Sequence, residues 1–385
     1  AEDKRKELSG IADGLLSWRK QSESRSRIEA ALSLAGSFLD IDVTALDQGK
    51  WLLNCQNGTL DLRTRKLRPH RRSDFITRCV PVAYDPSATC PTWEAFLDRI
   101  FDNRESLVRF QQKALGYSLT GDTREKCIFI LYGPKGDNGK STLLQAISTL
   151  LARYATEAAP ELLMARKSER HPTEIADLHG ARLVTALETG KRRSLNENLV
   201  KQMTGCGDKL KGRYMRQDFF EFYPEFKLFL ATNHKPVIRG TDNAIWNRIR
   251  LIPFEVSIPK AEQDKNLPAK LQAELPGILN WAVEGCRLWL AEGMEPPEEV
   301  ENATTGYREE MDVLAGFLAD HCFIGEKATA SAKDLYETYC KWCETNGEVP
   351  ETQRSFGMSL TERGFERYRN NGMNWKGIGL KGEVF

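Results

Sequence analysis

Long apolar runs are absent from this chain of 385 residues: none approaches the ~18 residues that a membrane-spanning helix requires. The chain opens with no secretory signal peptide, and its first residue is alanine rather than methionine. We therefore expect a cytoplasmic protein with no membrane partner, and a sequence that is a fragment or a processed product of a longer one.

Net charge is also nearly absent. The 55 Lys and Arg residues are balanced by 54 Asp and Glu residues, which leaves a formal charge of +1. The chain as a whole is therefore not a polybasic nucleic-acid binder, and any contact with DNA must come from local patches. No internal repeat or low-complexity run is present, while a hydrophobic content of 41% is enough for two or three domains with their own cores.

Closely spaced cysteines are rare. Nine cysteines without a secretory segment fit a reducing cytosol better than a disulfide framework. Cys340 and Cys343 form the only close pair, inside a helical pattern from Ala332 to Thr345. Because no second pair lies nearby, we interpret them as packing residues and not as a zinc or redox site.

The sequence does contain a glycine-rich turn between a strand-like and a helix-like segment. The apolar, β-prone run 127–132 ends at Gly133, and a helical pattern extends from Lys140 to Leu151. Backbone N–H groups of such a turn, together with the positive end of the following helix, form a cradle for phosphates. Lys140 is predicted to reach the β- and γ-phosphates, and the Ser141 hydroxyl to hold Mg²⁺.

This turn therefore predicts a nucleoside triphosphate site. The predicted nucleotide-binding residues are Gly133, Pro134, Lys135, Gly136, Asp137, Asn138, Gly139, Lys140, Ser141 and Thr142. The usual spacing places four residues between the first glycine and the Gly-Lys pair, whereas five follow Gly133 in this chain. The loop either begins on Pro134 or carries one extra residue.

Strands and helices alternate around this turn, which predicts an α/β fold. We expect strands at 127–132, 182–187, 227–232 and 249–254 and helices at 140–152, 196–204 and 271–291. Helices on both faces of a mostly parallel sheet are the natural packing for this order.

Charged and polar residues at the ends of these strands complete the predicted catalytic set. Glu188 follows the second strand and is predicted to bind Mg²⁺ and activate the attacking water. Because Leu187 precedes it, Glu188 serves both roles alone or shares them with an acid elsewhere. Asn233 after the third strand is predicted to sense the γ-phosphate, with a simple turn residue as the alternative. Arg248 at the start of the fourth strand is predicted to act in trans on a neighbouring subunit.

A basic segment at 209–216 contains one aromatic residue and turns at Gly212 between two β-prone arms. A basic hairpin of this kind can grip the phosphates of single-stranded DNA. The predicted DNA-binding residues are Lys209, Lys211, Arg213 and Tyr214, with Lys211 and Arg213 at the tip and Tyr214 offering a stacking face. The alternative is a solvated surface hairpin.

Further segments flank this core. Residues 1–48 have the pattern of charged helices, 51–81 that of short strands around a tight Asn57-Gly58 turn, and 91–119 that of helix again. A proline- and acid-rich stretch from Glu295 to Val300 predicts a hinge, with a domain boundary near 296–310. The tail 311–385 has the pattern of three helices and a glycine-rich hairpin, which is the order of a winged helix.

The order of strand, glycine-rich loop, Lys140-Ser141, Glu188, Asn233 and Arg248 resembles that of superfamily 3 helicases. Within that group the chain is most similar to the phage and plasmid primase-helicases, relatives of the poxvirus primase-helicase. Further segments that fit this family are 51–62, 84–93, 201–205 and Tyr223-Pro224. The resemblance covers about residues 50–290, and the tail more loosely.

This resemblance implies an α/β, AAA+-like P-loop ATPase core between an N-terminal helical collar with a small β segment and a C-terminal winged helix. The implied bounds are 1–118 for the collar, 119–295 for the core and 310–385 for the winged helix. The resemblance also implies ATP and Mg²⁺ as cofactors, single-stranded or forked DNA as a partner, and self-assembly into a ring, expected to be a hexamer. A primase domain upstream is a further implied partner.

We therefore expect an ATP-hydrolysing DNA helicase module of a phage or plasmid replication protein, acting in the host-cell cytoplasm. One alternative is an ATPase switch that loads or anchors a replication complex without processive unwinding. Another is a DNA-binding initiator whose nucleotide is structural. Stimulation of ATP hydrolysis by single-stranded DNA separates these, because only a motor needs its turnover coupled to the strand.

Overall fold

The fold is that of a computed structural model, which describes residues 2–38, 41–166, 171–187, 190, 193–240 and 243–382. Its helices are α1 Glu2–Ser22, α2 Arg25–Phe38, α3 Pro91–Ile100, α4 Glu105–Ser118, α5 Lys140–Leu151, α6 Pro172–Ala176, α7 Glu197–Thr204, α8 Asn243–Trp246, α9 Leu267–Ala273, α10 Leu275–Glu292, α11 Glu298–Met311, α12 Val313–His321, α13 Ala332–Asn346 and α14 Gln353–Glu362. Its strands are β1 Leu52–Cys55, β2 Gly58–Asp61, β3 Lys66–Arg68, β4 Ile128–Tyr132, β5 Ala155–Ala158, β6 Leu183–Leu187, β7 Leu210–Gly212, β8 Phe220–Phe222, β9 Lys227–Thr232, β10 Ile249–Pro253, β11 Cys322–Ser331, β12 Glu366–Arg369 and β13 Met373–Leu380.

One compact unit consists of Ala1–Gln48 and Arg72–Thr77. Helices α1 and α2 confirm the helical pattern predicted for this region, and neither buries any residue. Asp47 joins the two parts of the unit. Its N–H donates to the Phe75 carbonyl at 3.0 Å, and its carboxylate accepts from the Thr77 N–H at 2.7 Å.

The rest of the chain forms the second unit, which begins with a small antiparallel sheet of β1, β2 and β3. Cys55 pairs with Gly58, so Gln56 and Asn57 form the tight turn, one residue before the predicted Asn57-Gly58 turn. The helix predicted at 91–119 is interrupted, and α3 and α4 form instead, because Asp102 and the following Asn103 adopt left-handed backbone angles.

A five-stranded parallel sheet forms the centre of the second unit, with the strand order β10-β4-β9-β6-β5. The four strands predicted from the sequence are present. The fifth strand, β5 at one edge, was not predicted, because its residues are short, half-exposed and not strongly apolar. The parallel α/β architecture expected for this region is confirmed.

Side chains of the central strands alternate between two apolar clusters, one on each face of the sheet. Phe129 and Leu131 of β4 belong to the cluster that contains residues of α4, α5 and α10. Ile128 and Ile130 belong to the other, which contains residues of α7 and Tyr307 of α11. Burial on both faces explains why these strands are continuous apolar runs in the sequence.

Two buried cations attach the amino edge of this sheet to the carboxyl end of α4. Arg182, which directly precedes β6, donates from Nη1 to the Leu119 carbonyl at 2.6 Å. Lys227, the first residue of β9, donates from Nζ to the carbonyls of Thr120 and Asp122. Carbonyls at the end of a helix lack partners within it and carry partial negative charge, so cations satisfy them well.

Two predictions about the segment that follows the sheet were wrong in part. The single helix expected at 271–291 is divided at Glu274 into α9 and α10, each of which has proline at its second position. The hinge predicted at 295–300 is confined to the residues before Glu298, because helix α11 begins there and packs along β10. Proline is tolerated at the start of a helix, and Pro297 directly precedes α11. A prediction that treats proline only as a helix breaker therefore misses this helix.

The C-terminal part, from Asp312 onward, contains α12, α13 and α14 and a three-stranded antiparallel sheet in the order β11-β13-β12. The three helices and the closing hairpin follow the predicted order, whereas strand β11 was not predicted. The C-terminal part has its own apolar core, which includes Phe317, Leu335, Phe356 and Trp375. Cys343 belongs to this core, and the described residues contain no cluster of acidic, His or Cys side chains suited to a metal ion.

Membrane insertion of a helix finds no support in the described part of the chain. None of its helices combines the length and the apolarity that crossing a bilayer requires.

Candidate functional site

The glycine-rich loop joins β4 to α5 at the carboxyl edge of the parallel sheet, where open α/β sheets bind their ligands. Gly133 leaves no room for a side chain. A Cβ there would lie 2.6 Å from the Phe254 carbonyl oxygen and 2.0 Å from Asn138 Nδ2. Gly139, at the start of α5, has a φ of 81° and would place a Cβ 2.6 Å from Ile100. The predicted sequence of strand, glycine turn and helix is therefore confirmed.

Lys140 is almost fully buried, with 6% of its surface exposed. Its Nζ donates to the Gly133 carbonyl at 3.2 Å, to Asn138 Oδ1 at 2.8 Å and to Asn233 Oδ1 at 2.9 Å. A buried ammonium without such oxygens would be strongly destabilising. These contacts hold a positive charge at the mouth of the loop, beside the start of α5.

The extra residue of this loop is accommodated by folding Asn138 inside it. Asn138 is 4% exposed; its Nδ2 donates to the Lys135 carbonyl at 2.8 Å while its Oδ1 accepts from Lys140. Asp137 takes a left-handed φ of 57°, and its carbonyl accepts from the Ile258 N–H. Since Gly133 is constrained and Pro134 is exposed, the structure favours an inserted residue over a loop that begins on Pro134.

Asn233 emerges next to this loop on the neighbouring strand. Thr232 of β9 pairs with Tyr132 of β4, so Asn233 and Gly133 leave the sheet side by side. The structure thus brings together two of the predicted site residues, Lys140 and Asn233. Glu188, the predicted acid, lies outside the described residues.

Arg248 lies at the opposite edge of the sheet from the glycine loop of its own chain. Ile249 of β10 pairs with Ile128, the first residue of β4, so a strand of five residues separates Arg248 from the loop, roughly 16 Å at the usual rise. Its Nε donates to Thr204 Oγ1 at 3.2 Å, and its Nη1 donates to the Ala244 carbonyl. This placement suits the prediction that Arg248 acts on another subunit.

The basic segment forms a hairpin of β7 and β8, but Gly212 is not its tip. Gly212 pairs with Phe220 inside the ladder, and a Cβ there would lie 2.8 Å from Ala176 Cα. The turn is formed by residues 213–219 instead. Arg213 begins this turn, while Lys211 lies within β7, and both are exposed. The prediction that Lys211 is at the tip is therefore wrong.

Aromatic rings support the cations of this hairpin, and the sequence reading missed most of them. Phe219 is 49% exposed, with Lys211 Nζ 4.9 Å and the Arg213 guanidinium 4.6 Å from its ring centroid. Lys209 Nζ lies 5.6 Å from the ring of Tyr223. The run of aromatic residues at 219–223, paired with the basic arm, was the available signal.

Tyr214 uses one face of its ring inside the protein. The ring stacks on Phe220 with centroids 5.4 Å apart, and its hydroxyl donates to the Ala176 carbonyl at 3.0 Å. Burial, followed by the nearby Asp177 carboxylate, raises the pKa of this hydroxyl. Asp177 therefore lies beside the hairpin. It is one of the acids to test if Glu188 is not catalytic.

The described residues fit a nucleoside triphosphate. The glycines leave the loop backbone open, α5 presents the N–H groups of its first turn, and Lys140 supplies positive charge. Ser141 in that first turn is exposed and offers a hydroxyl to Mg²⁺, whose remaining ligands would be phosphate oxygens, water and an acid.

Comparison with protein families places both ends of the chain. A family described as D5 N terminal like matches residues 4–102, and one described as Poxvirus D5 protein-like matches residues 309–375. Models of D5-related families thus match the N-terminal and the C-terminal parts of this chain. A family of unknown function (DUF5906) matches residues 131–248, which contain the glycine loop, Asn233 and Arg248.

Among curated proteins, this chain is similar to "Putative helicase L207/L206" of Acanthamoeba polyphaga mimivirus. The two are 26% identical over a region that covers 80% of this chain and 35% of that protein. This chain is also similar to "Primase D5" of fowlpox virus, with 27% identity over 40% of this chain and 19% of that protein. The chain thus spans about a third or less of these relatives. The solved C-terminal region of NrS-1 shares its fold, with a TM-score of 0.53, 13% identity and 78% of each chain covered.

Proposed function

We propose that this chain is the ATP-driven DNA helicase module of a replication protein. The observation that carries the proposal is the contact between Lys140 and Asn233 at the carboxyl edge of the parallel sheet. It places a cation on the glycine loop and an amide from the adjacent strand at one point, where a γ-phosphate needs both. The matches to D5-related family models at both ends of the chain, and the helicase and primase names of its relatives, support the same reading.

In the proposed site the loop N–H groups and the start of α5 bind the phosphates, and Lys140 neutralises the β- and γ-phosphates. Ser141 and Glu188 would hold Mg²⁺, which would supply further positive charge at the transferring group. Glu188 accepts the proton of the attacking water, and Asn233 orients that water or the γ-phosphate. Arg248 of a neighbouring subunit stabilises the transition state, which is consistent with its position far from the loop of its own chain.

The DNA partner is proposed to bind at the β7–β8 hairpin. Lys209, Lys211 and Arg213 offer cations to phosphates, and Phe219 and Tyr214 offer ring surface to unpaired bases. With a formal charge of only +1 on the chain, this local arrangement is the feature that favours DNA.

At the level of architecture, we propose an AAA+-like core that assembles as a ring, with a winged-helix C-terminal part. The parallel sheet with β4 between β10 and β9 supports the first, and the order of helices and closing hairpin from α12 to β13 supports the second. A ring also supplies the interface at which Arg248 of one copy meets the loop of the next.

The test is ATP turnover by the purified chain with and without single-stranded DNA, together with strand displacement on a forked duplex. We expect DNA to raise turnover and the fork to be unwound only with hydrolysable ATP. ATP turnover that single-stranded DNA does not stimulate, without unwinding of the fork, would favour an ATPase switch. Nucleotide binding without turnover would favour the initiator. In both cases the helicase proposal would fail.

A further inference from the structure

Residues 233–239 connect the glycine-loop site to the C-terminal part of the chain. The segment begins at Asn233, which accepts a hydrogen bond from Lys140. It ends at Val237, Ile238 and Arg239, which line a cavity of about 220 Å³. The facing wall of that cavity belongs to the C-terminal part and includes Leu314, Tyr339 and Pro350.

Lys235, two residues beyond Asn233, is enclosed by groups from two elements. Its Nζ lies 2.7 Å from both carboxylate oxygens of Glu310. The ring centroids of Tyr132 and Tyr307 are 4.9 and 5.5 Å from the same nitrogen, and only 15% of the side chain is exposed. Because several groups surround this cation, solvent weakens its contacts less than it weakens those of an exposed surface ion pair.

The partner of Lys235 lies in the last turn of α11. Tyr307, one turn earlier and fully buried, donates its hydroxyl proton to the Pro236 carbonyl. α11 ends at Met311, and Asp312 caps α12 by accepting from the Ala315 N–H at 2.9 Å. The end of α11 is therefore bound to the segment 233–239 on one side and separated from α12 by one residue on the other.

We propose that Lys235 is a positioning residue for Asn233 and that, through Glu310, it transmits nucleotide occupancy to Asp312, the residue between α11 and α12. This inference rests on the proposed nucleotide site. Phosphates that enter the loop compete for Lys140 Nζ, so Asn233 loses its hydrogen bond to Lys140 and turns toward the γ-phosphate. Because Lys235 and Pro236 are held by Glu310 and Tyr307, a shift of Asn233 is passed to the last turn of α11 and from there to α12.

The experiment measures hydrogen–deuterium exchange of the segment 311–318 in the full chain, with and without a non-hydrolysable ATP analogue and Mg²⁺. The variants are Lys235→Met, Lys235→Arg and Glu310→Gln. The matched control is Lys270→Met, which removes a lysine whose Nζ lies 2.7 Å from Asp264 on a different surface. Binding of the analogue and the kcat and KM for ATP are measured on the same samples.

In the wild type and in Lys270→Met, we expect the analogue to change the exchange rate of this segment by about fivefold or more. In Lys235→Met and Glu310→Gln that change should shrink to less than about twofold, and kcat should fall more than KM rises because the analogue still binds. Lys235→Arg should restore most of the response, since it keeps the cation between the two rings.

Two results would overturn the inference while leaving the proposed function intact. In one, the wild type binds the analogue but the segment 311–318 does not respond. In the other, Lys235→Met and Glu310→Gln respond as the wild type does. A wild-type chain that binds no analogue would instead overturn the proposed function, and the inference would fall with it. Glu310 is more than half exposed, so Glu310→Gln is expected to fold and keeps the test decisive if Lys235→Met does not.

Discussion

Lys140, the first residue of α5, donates a hydrogen bond from Nζ to Oδ1 of Asn233, the residue after β9, at 2.9 Å. The two residues are 93 positions apart in the chain, yet the parallel pairing of β4 with β9 makes them neighbours. Asn233 lies beside the lysine, at the point where the proposed γ-phosphate would bind. This contact therefore links the residue that binds the phosphate to the residue that is proposed to sense it.

Replacement of Lys140 by alanine should abolish ATP turnover, by at least about 100-fold in kcat, because the charge at the phosphates is lost. The measurement is steady-state ATP hydrolysis, with thermal unfolding to confirm that the fold is intact. Lys333→Ala, at an exposed lysine of α13 in the C-terminal part, is the matched control. Near-wild-type turnover in Lys140→Ala would reject the assignment of the loop.

Glu188→Gln should bind ATP normally but hydrolyse it very slowly. The amide keeps the shape of the side chain but cannot accept the proton of the attacking water. Binding of a fluorescent ATP analogue and single-turnover hydrolysis measure the two steps separately. If hydrolysis is unchanged, another acid has this role, and Asp177 and Asp208 are the next to test.

Arg248 is predicted to act in trans. Arg248→Ala and Lys140→Ala should each be inactive alone, but equal mixtures should recover part of the ATPase activity. Roughly a quarter of random interfaces in a mixed ring would pair an intact loop with an intact arginine. Subunit exchange is verified with differently tagged proteins. A mixture that exchanges subunits but stays inactive would assign Arg248 to its own subunit or to a purely structural role.

The double substitution Lys211→Ala with Arg213→Ala should remove DNA stimulation and unwinding but spare basal ATP hydrolysis. Both side chains lie beside Phe219 on the hairpin, which is a different segment from the glycine loop. Loss of two phosphate contacts should also flatten the salt dependence of single-strand binding, by roughly 0.7 log units per contact for each log unit of salt. Phe219→Leu tests the ring separately from the charges, because it removes the aromatic support of both cations. Wild-type unwinding and salt slope in the double variant would place the DNA path elsewhere, with the C-terminal part as the next candidate.

Lys227 should make stability depend on pH. Burial lowers the pKa of this ammonium from 10.5 to about 7. Between these values the unfolded chain binds a proton that the folded chain does not, so the free energy of unfolding rises with pH, by up to about 1.4 kcal/mol per pH unit. This contribution is greatest above the unfolded pKa and is lost as pH falls toward 7.

Urea unfolding at pH 7.0 to 8.5 tests this, with Lys227→Met as the comparison. The variant should be less stable, because the carbonyls of Thr120 and Asp122 lose their donor, but its stability should rise less steeply with pH. The range stops at 8.5 because burial raises the pKa of Cys55 and Cys90 to about 12, which makes stability fall as unfolded thiols ionise at higher pH. Parallel pH profiles for the two proteins would contradict the prediction.

The sequence by itself determined the parts of this protein that depend on neighbouring residues. Strand β4, the glycine turn and helix α5 follow from an apolar run, residues that tolerate special backbone angles and a helix start at Lys140, all within 25 positions. The order of the central strands along the chain was likewise readable, because strands buried on both faces are continuous apolar runs. The resemblance to the poxvirus D5-related families could be inferred from the same local motifs.

Tertiary structure decided what depends on partners far away in the chain. Edge strand β5 and helix α11 have weak local signals and form because β6 and β10 offer pairing and packing to them. Gly212 seemed a turn residue by itself, yet the pairing of β7 with β8 places it inside the ladder, where Ala176 excludes a side chain. Likewise, Lys140 contacts Asn233, and Lys235 contacts Glu310, only because the sheet and α11 bring these residues together. Backbone propensity cannot specify which side chains from distant parts of the chain are buried next to each other.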